Sequence, residues 1–450
     1  MYRDLTKGNI TGTLLLFALP MLAGNLLQQF YNIADTLIVG QFLGSNALAA
    51  VGSAYTLMNF LTSVLLGLSM GSGALFSILR GRGDQDRLRS AVLHAFVLIF
   101  AVAAIMNIAV YLWIDPILKF LQAPPDVYGL MREYLWVIFA GISAVFFSNF
   151  FACLLRAVGN SAAPLIFLSV STCLNVGLDL LFVLVFHWGV KGAAGATVFS
   201  QFVSGFGIMG YAIVRCRDLI PGRKDFYWNK GVLREIFSLS FLTCVQQSVM
   251  NFGILLVQGL VNSFGPAVMA AFAAAVKIDS FAYMPAQDFG NAFSTFVAQN
   301  YGAGKIERIR RGIKRSALLT FGFCILSSAA VMIFAKPLML IFVRPEETEI
   351  LELGVQYLWV EGSCYLGIGC LFLLYGFYRA VCRPGMSVVL TVISLGTRVV
   401  LAYLLSPLVG VVGIWVAVPI GWALADLTGV FYYRFRRDQL LENKFSKGHF

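Results

Sequence analysis

Charged residues are scarce in this chain. Asp, Glu, Lys and Arg make up 12% of its 450 residues, against about 25% in an average soluble protein, and 59% of the residues are hydrophobic. The hydrophobic residues collect in segments long enough to cross a bilayer, at residues 17–35, 51–75, 92–113, 134–155, 164–185, 193–214, 237–257, 269–298, 317–334, 357–378, 387–405 and 411–433. The sequence therefore predicts an all-α integral membrane protein with twelve transmembrane helices.

Residues that build catalytic or metal sites are also sparse. The three His residues (His94, His187 and His449) are isolated, and the eight Cys show no motif spacing. The segments 81–83 and 302–304 are too short and lack the preceding strand that a phosphate-binding loop needs. No HExxH motif and no Ser–His pair in a strand–turn–helix setting is visible. We therefore expect no enzymatic activity, no cofactor and no ATP-driven transport by this chain alone.

The net charge of +11 follows the predicted topology. Lys and Arg concentrate in the termini and the even-numbered loops. The exceptions are Lys119, Arg132, Lys191, Lys336 and Arg344 in odd-numbered loops, and Lys277 and Arg398 inside spans. Under the positive-inside rule, this bias predicts that both termini are cytoplasmic. The excess positive charge thus indicates orientation, and we expect no nucleic-acid partner.

The first apolar segment carries a polar stripe and an acid. Residues of one helical face recur at three- and four-residue spacing: Asn25, Gln28, Gln29, Asn32, Asp35 and Thr36. A carboxylate in a span costs about 2.5–3.5 kcal/mol on insertion scales, so Asp35 is expected to face a partner or a cavity. Pro20, fifteen residues upstream, removes a backbone hydrogen bond and is the predicted hinge of this helix.

The two halves of the chain repeat one another. The segment 86–89 (Asp-Arg-Leu-Arg) corresponds to 307–310 (Glu-Arg-Ile-Arg) at an offset of 221 residues, and 134–137 corresponds to 357–360 (Tyr-Leu-Trp-Val in both) at 223. Each half holds six predicted helices, so both insert with the same orientation, as in the parallel repeats of several secondary transporters. We predict two pseudo-symmetric six-helix lobes, 1–218 and 235–450, joined by a cytoplasmic linker at 219–234. A duplicated bundle without moving parts is the simpler alternative.

Several of these residues resemble the multidrug and toxic compound extrusion (MATE) family. The resemblance lies in Pro20 with the segments 35–40 and 43–44, in 265–275 with Pro285, and in 189–194 and 299–304. It covers nearly the whole chain. It implies twelve helices in two lobes, and export of cationic, often aromatic compounds against an inward flow of protons or sodium ions.

A candidate ion site follows from the acids in the first half. Asp35, Asn175, Asp179 and Thr197 match a cation and proton site of the MATE amino-terminal lobe. Independently of that match, two carboxylates in a low-dielectric site can hold a proton near neutral pH, and with an amide oxygen and a hydroxyl they can bind Na⁺. A structural cluster that holds helices together is the alternative. No other metal is expected.

The second half does not reproduce this set. At the repeat offsets Asp35 corresponds to Leu256, Asn175 to Arg398 and Asp179 to Ala402. The acids and bases of the second-half spans are expected mainly to pair with one another. The polar, Met and acidic candidates for a substrate cavity are Gln28, Asn32, Gln201, Gln247, Met250, Met284, Asp288 and Glu361. The aromatic candidates are Phe30, Tyr31, Phe60, Phe289, Phe293 and Tyr365.

The favoured function is a secondary active antiporter. It would export organic cations or drugs in exchange for H⁺ or Na⁺, by rocking of the lobes and alternating access. We expect a monomer in the cell membrane, with small organic cations and membrane lipid as its partners. The alternatives are a flippase for lipid-linked precursors, as in the same superfamily, and an integral membrane enzyme. The spans contain only two basic residues, and this low number argues against the flippase.

Overall fold

The computed structural model describes residues 3–120, 125–222 and 229–442, and over these ranges the chain is helical without β-strands. The middle of the predicted linker, 223–228, lies outside the described residues. Nothing is described of the side chains at eight positions inside helices: 45, 49, 53, 55, 56, 120, 254 and 255.

The first half of the chain forms eight helices. They are α1 (Ile10–Leu43), α2 (Ser45–Arg82), α3 (Gln85–Leu112), α4 (Ile114–Phe120), α5 (Pro125–Ile138), α6 (Ile142–Ala157), α7 (Ala162–Leu180) and α8 (Gly189–Arg215). A short 3₁₀ turn, Phe139–Gly141, joins α5 to α6 within one span. A π-helical turn, Leu181–Val185, ends the span of α7.

The second half forms seven helices. They are α9 (Lys230–Asn262), α10 (Pro266–Gly302), α11 (Ile306–Met339), α12 (Thr348–Gly362), α13 (Tyr365–Ala380), α14 (Pro384–Val409) and α15 (Val412–Leu441). Glycines at positive φ precede α2 and α10 at repeat-related places, Gly44 (φ 85°) and Gly265 (φ 97°), where a side chain would be strained.

The twelve predicted spans are confirmed over the described residues. Eleven helical spans are long and apolar enough to cross a membrane, and α12 with α13 forms the twelfth as a bent pair. That span was predicted as one continuous segment, 357–378. The structure instead bends it by 51° at the break after Gly362. Most helices also extend beyond the predicted apolar segments, because their polar ends continue the helix outside the hydrophobic window.

The chain divides into two compact units. The first unit comprises Met1–Arg3 and Leu19–Cys244, and the second comprises Asp4–Ala18 and Val245–Phe450. The division therefore passes through α1 just before Pro20 and through α9, not through the linker at 219–234. The predicted lobes 1–218 and 235–450 differ from the units in these two helix segments, and their role as transport units stays a prediction.

Close helix contacts in the first unit depend on small residues. On α2, Gly67 and Gly71 lie against the backbone of α9, where a Cβ would come within 2.5 Å of the Cα atoms of Cys244 and Ser240. The hydroxyls of Ser72 and Ser240 hydrogen-bond at 2.8 Å beside this contact. Because neither glycine has a side chain, α2 and the first part of α9 can pack backbone against backbone.

The N-terminal segment Asp4–Gly8 docks onto the second unit. The Leu5 side chain is fully buried, and its backbone N–H donates to Gln299 Oε1 at 3.2 Å. Asn300 Nδ2 donates to the Leu5 carbonyl at 3.2 Å, and Arg308 donates to the carbonyls of Lys7 and Gly8, each at 2.7 Å. The end of α10 and the start of α11 therefore hold this segment in place.

Candidate functional site

A buried polar stripe on α7 faces α8. Ser171, Asn175 and Asp179 are four residues apart, so they share one helical face, and all three are buried. Ser171 Oγ donates to the carbonyl of Ser200 at 2.9 Å, and Asn175 Nδ2 donates to Thr197 Oγ1 at 3.3 Å. The stripe thus contacts α8 over at least one turn and places Asp179 at its far end.

Helix α1 reaches the same place through Tyr31. The Tyr31 hydroxyl lies 3.2 Å from Thr197 Oγ1, so one threonine hydroxyl contacts both α1 and α7. Asp35 is one turn beyond Tyr31 on the same face of α1, and its carboxylate acts electrostatically on that of Asp179. The structure therefore brings together all four residues of the predicted ion site: Asp35, Asn175, Asp179 and Thr197.

The Asp179 carboxylate is buried without a partner. Among the described residues, neither of its oxygens has a hydrogen bond, and Asn175 Oδ1 also has none. A lone carboxylate away from water is strongly unfavourable in its charged form, and a second carboxylate nearby adds repulsion. A proton or a cation at Asp179 would relieve both costs. The oxygens of Asp35, Asn175, Asp179 and Thr197 form a donor set suited to a hard cation such as Na⁺.

Asp115, elsewhere in the first unit, is an acid with structural partners and contrasts with Asp179. Asp115, on α4 outside the spans, accepts hydrogen bonds at 2.9 Å from both Arg132 Nε and the Tyr128 hydroxyl. These bonds, led by that from Arg132, lower the pKa of the Asp115 carboxyl, so it stays charged and paired. Within the described part of the chain, Asp179 forms no ion pair, which distinguishes it from an acid that forms a structural ion pair.

The other first-half candidates, for the substrate cavity and the hinge, differ in burial and in position. Gln28 is exposed, and Asn32 and Gln201 are half-buried. Gln201 follows Thr197 by one turn, but its Oε1 lies close to Gly141, at the start of α6, where an added Cβ would be 2.8 Å away. Pro20 lies inside a continuous α1, at the division between the two units. Their roles in substrate binding and bending stay predictions.

The second unit has a different buried cluster. It comprises side chains from α10, α12, α13 and α14: Asp279, Tyr283, Tyr357, Glu361, Tyr365 and Arg398. The charge of Arg398 acts on both carboxylates, and each of the three tyrosines also interacts electrostatically with both. The sequence predicts acidic partners for Arg398, and Asp279 and Glu361 are near it, but it does not predict the neighbouring tyrosines. The spacing of Tyr357, Glu361 and Tyr365 by four residues was the available signal.

The remaining second-half candidates lie outside that cluster. Asp288 is buried nine residues beyond Asp279 on α10, which places it on the opposite helix face. Gln247 is buried on the part of α9 that belongs to the second unit, and Met250 and Met284 are half-buried. Of the aromatic candidates, Phe30 is exposed and Phe289 and Phe293 are buried, whereas the buried Tyr365 belongs to the cluster itself. Among the described residues no three His, Cys, Asp or Glu side chains converge as a transition-metal site would require.

The chain has twelve spans in two repeated halves, and the first half contains Asp179, a buried acid without a hydrogen-bond partner among the described residues. These features define a multi-pass membrane transporter. The family model described as MatE matches residues 20–181 and 243–404, two segments of equal length that reproduce the internal repeat. The chain belongs to the MatE family.

Similar proteins agree with this assignment. The chain is 29% identical over 437 residues to the probable multidrug resistance protein YpnP of Bacillus subtilis (strain 168), covering 96% of this chain and 97% of that protein. It is 25% identical to the FAD transporter of Shewanella oneidensis, covering 92% of each. A MOP superfamily transporter from Pyrococcus furiosus Vc1 shares the fold, with a TM-score of 0.91 at 22% identity over 97% of this chain and 98% of that one.

Proposed function

We propose that this protein is a secondary active antiporter that exports organic cations or drugs in exchange for H⁺ or Na⁺. The observation that carries the proposal is the Asp179 carboxylate, which is buried without a hydrogen-bond partner among the described residues and faces the charge of Asp35. Buried acids in a span that have no structural partner are typical of ion pathways. The multidrug resistance relatives support the export of drugs.

The exchange follows from competition for the two carboxylates. While both are charged, they attract a cation, and either the coupling ion or a cationic substrate can satisfy that attraction. An entering ion neutralises Asp179 and reorganises the oxygens around it. Because Thr197 Oγ1 contacts both Asn175 and Tyr31, this reorganisation changes the contact that holds α1. Helix α1 then rearranges at Pro20, and rocking of the two lobes releases the substrate on the other side.

Transport by the purified protein in liposomes tests the proposal. A pH gradient alone and a Na⁺ gradient alone are imposed, and counterflow of a fluorescent organic cation is measured. We expect wild-type counterflow with at least one gradient. Asp35→Asn and Asp179→Asn should reduce it by at least tenfold, because the side-chain shape is kept while the ionisable group is lost. Asp126→Asn, which alters an exposed acid in the first turn of α5, is the matched control and should transport normally.

Wild-type transport by either cluster variant would overturn the coupling role. Comparison of the two gradients also identifies the ion. Because one full-length relative is an FAD transporter, labelled FAD is the second substrate to test. Uptake of FAD without counterflow of any cation would replace organic cations by an anionic dinucleotide as the substrate class. Scrambling of labelled lipid without either activity would favour the flippase.

The remaining parts of the proposal concern the setting of the protein. It acts as a monomer in the cell membrane, without a bound cofactor and with both termini in the cytoplasm, as the distribution of Lys and Arg supports. Single cysteines at the exposed positions Lys230 and Arg344 of a cysteine-free variant test the orientation. An impermeant reagent added outside cells should label only the cysteine at 344.

A further inference from the structure

A cationic pocket lies within the second unit, and no acid of either buried cluster is among the residues that line it. It has a volume of about 570 Å³ and is open to solvent. One side is the start of α1, with Asn9, Ile10 and Thr11, and the other is a face of α11 that carries Arg311, Lys314 and Arg315. The spacing of three and four residues puts these three cations on one face of α11.

The three cations have no acidic partner. None of the ion pairs among the described residues includes Arg311, Lys314 or Arg315, and all three side chains are exposed. Their neighbours on α11 are engaged differently, since Arg310 pairs with Glu307 and Asp438, and Arg308 binds the N-terminal segment. The pocket thus keeps three uncompensated positive charges beside a helix start, where backbone N–H groups add to the positive potential.

Membrane orientation alone does not require this cluster. At the repeat offset of 221, the corresponding positions of α3 hold Ser90, Leu93 and His94, and none is Lys or Arg. Ser90 and His94 are buried there. The preceding residues match closely between the two helices, since Arg87 corresponds to Arg308 and Arg89 to Arg310. The cationic face is therefore specific to the second half.

An apolar stripe continues the cationic face along α11. Leu318 lines the same pocket and is 65% exposed, and Ile325, seven residues further on the same face, is 60% exposed. No charged residue occurs between Arg315 and Lys336, so the hydrocarbon-facing part of the span begins directly after the pocket. The cations therefore lie at the depth of lipid phosphates, and the exposed aliphatic side chains lie at the depth of acyl chains.

We infer that this pocket binds the headgroup of an anionic phospholipid. Arg311, Lys314 and Arg315 contact the phosphate, and the start of α1 closes the other side. One acyl chain lies along Leu318 and Ile325. The volume is within the range of about 300–1,000 Å³ typical of small-ligand sites. The lipid bridges α1 and α11 inside the second unit, at the end of the span that the positive-inside rule assigns to the cytoplasm.

Lipid binding by the purified full-length protein in detergent tests this site. Lipid retained by wild-type protein is measured by native mass spectrometry after titration with phosphatidylglycerol or with phosphatidylcholine. The variant Arg311→Gln/Lys314→Gln/Arg315→Gln should bind phosphatidylglycerol on the order of 100-fold more weakly, since each cation contributes roughly a fivefold factor. The matched control, Lys230→Gln/Arg234→Gln/Arg434→Gln, removes the same charge from exposed positions outside the pocket and should bind normally.

Two further measurements separate a lipid from a soluble anion. Leu318→Ser keeps the cations and should weaken binding of phosphatidylglycerol while leaving any effect of inorganic phosphate unchanged. Inorganic phosphate alone should not raise the unfolding temperature of wild-type protein, whereas phosphatidylglycerol should. Equal phosphatidylglycerol binding by the triple variant and its control would overturn the inference. Equal stabilisation by inorganic phosphate would also overturn it, in favour of a soluble anion.

Discussion

At the scale of single residues, Thr197 connects the candidate ion site to the rest of the first unit. Its hydroxyl contacts Tyr31 on α1 and Asn175 on α7, and the acids lie one turn further along the same two helices. A proton or ion at Asp179 therefore lies next to the hydrogen bonds that join three helices. The ion site and the helix contact share atoms, so occupancy of one affects the other.

Replacing Thr197 by Val should separate these two roles. The isosteric side chain loses both hydroxyl contacts, which should lower the free energy of unfolding by about 1–2 kcal/mol. It should also slow ion-driven counterflow by roughly tenfold, because each lost 1.4 kcal/mol of ion binding is about a factor of ten. Unfolding in detergent and counterflow in liposomes measure the two effects. Thr197→Ser keeps the hydroxyl and is the control, and normal counterflow by Thr197→Val would contradict the linkage.

Residue patterns predicted part of this site and missed the rest. The four-residue spacing of Ser171, Asn175 and Asp179 fixes a common face, because helical periodicity is a local property of the chain. The Tyr31–Thr197 contact joins residues 166 positions apart and depends on how three helices pack. Likewise, nothing in the local sequence indicated that Gln201 lies close to Gly141. The spacing of Tyr357, Glu361 and Tyr365 is a local signal, but it does not show that Asp279 from another helix lies beside them.

At the scale of helices, the sequence predicted which segments span the membrane, since hydrophobic length decides that question. It did not predict where helices break or how closely they approach. The bend after Gly362 interrupts an apolar segment that contains no Pro, and the neighbouring Glu361 and Ser363 do not by themselves indicate a break. The contact of α2 with α9 depends on glycines whose partners are far away in sequence.

Replacing Gly71 by Ala tests whether α2 and α9 are in close contact. In Gly71→Ala, the new Cβ would lie 2.5 Å from Ser240 Cα and 2.6 Å from the Leu239 carbonyl oxygen, so the helices must move apart. We expect a loss of about 1–3 kcal/mol in the free energy of unfolding, as for other overpacked contacts. Unfolding in detergent measures it.

Gly210→Ala on α8 is the matched control for Gly71. An added Cβ there meets no atom within 4 Å, so the helix should gain about 0.5–1 kcal/mol from the change. The two substitutions are chemically identical and should have opposite signs. Equal effects on stability would show that α2 and α9 are not in close contact.

At the scale of the whole molecule, the N-terminal segment is a structural part of the second unit. Residues 299–304, which resemble a family motif, proved to include the two side chains that hold Leu5, Gln299 and Asn300. This role could not be predicted from the sequence, because the interacting residues are almost 300 positions apart. The motif therefore has at least one structural task.

Arg308→Gln tests the docking of this segment. The guanidinium donates to the carbonyls of Leu5, Lys7 and Gly8, so its loss should cost about 1.5–3 kcal/mol, the range for hydrogen bonds to a charged group. Hydrogen exchange of residues 4–8 should accelerate, and the unfolding temperature should fall. Arg434→Gln, an exposed arginine on α15, should change neither. Unchanged exchange in Arg308→Gln would show that the segment is held by other contacts.

The division of α1 and α9 between the two units has a consequence for any attempt to take the protein apart. A gene cut at the linker would give one fragment that carries residues 4–18, which belong to the second unit, and another that carries residues 230–244, which belong to the first. Each fragment would carry a helix segment that belongs to the other unit and would lack a segment of its own unit. We therefore expect co-expressed fragments to reassemble both units only by exchanging these helix segments.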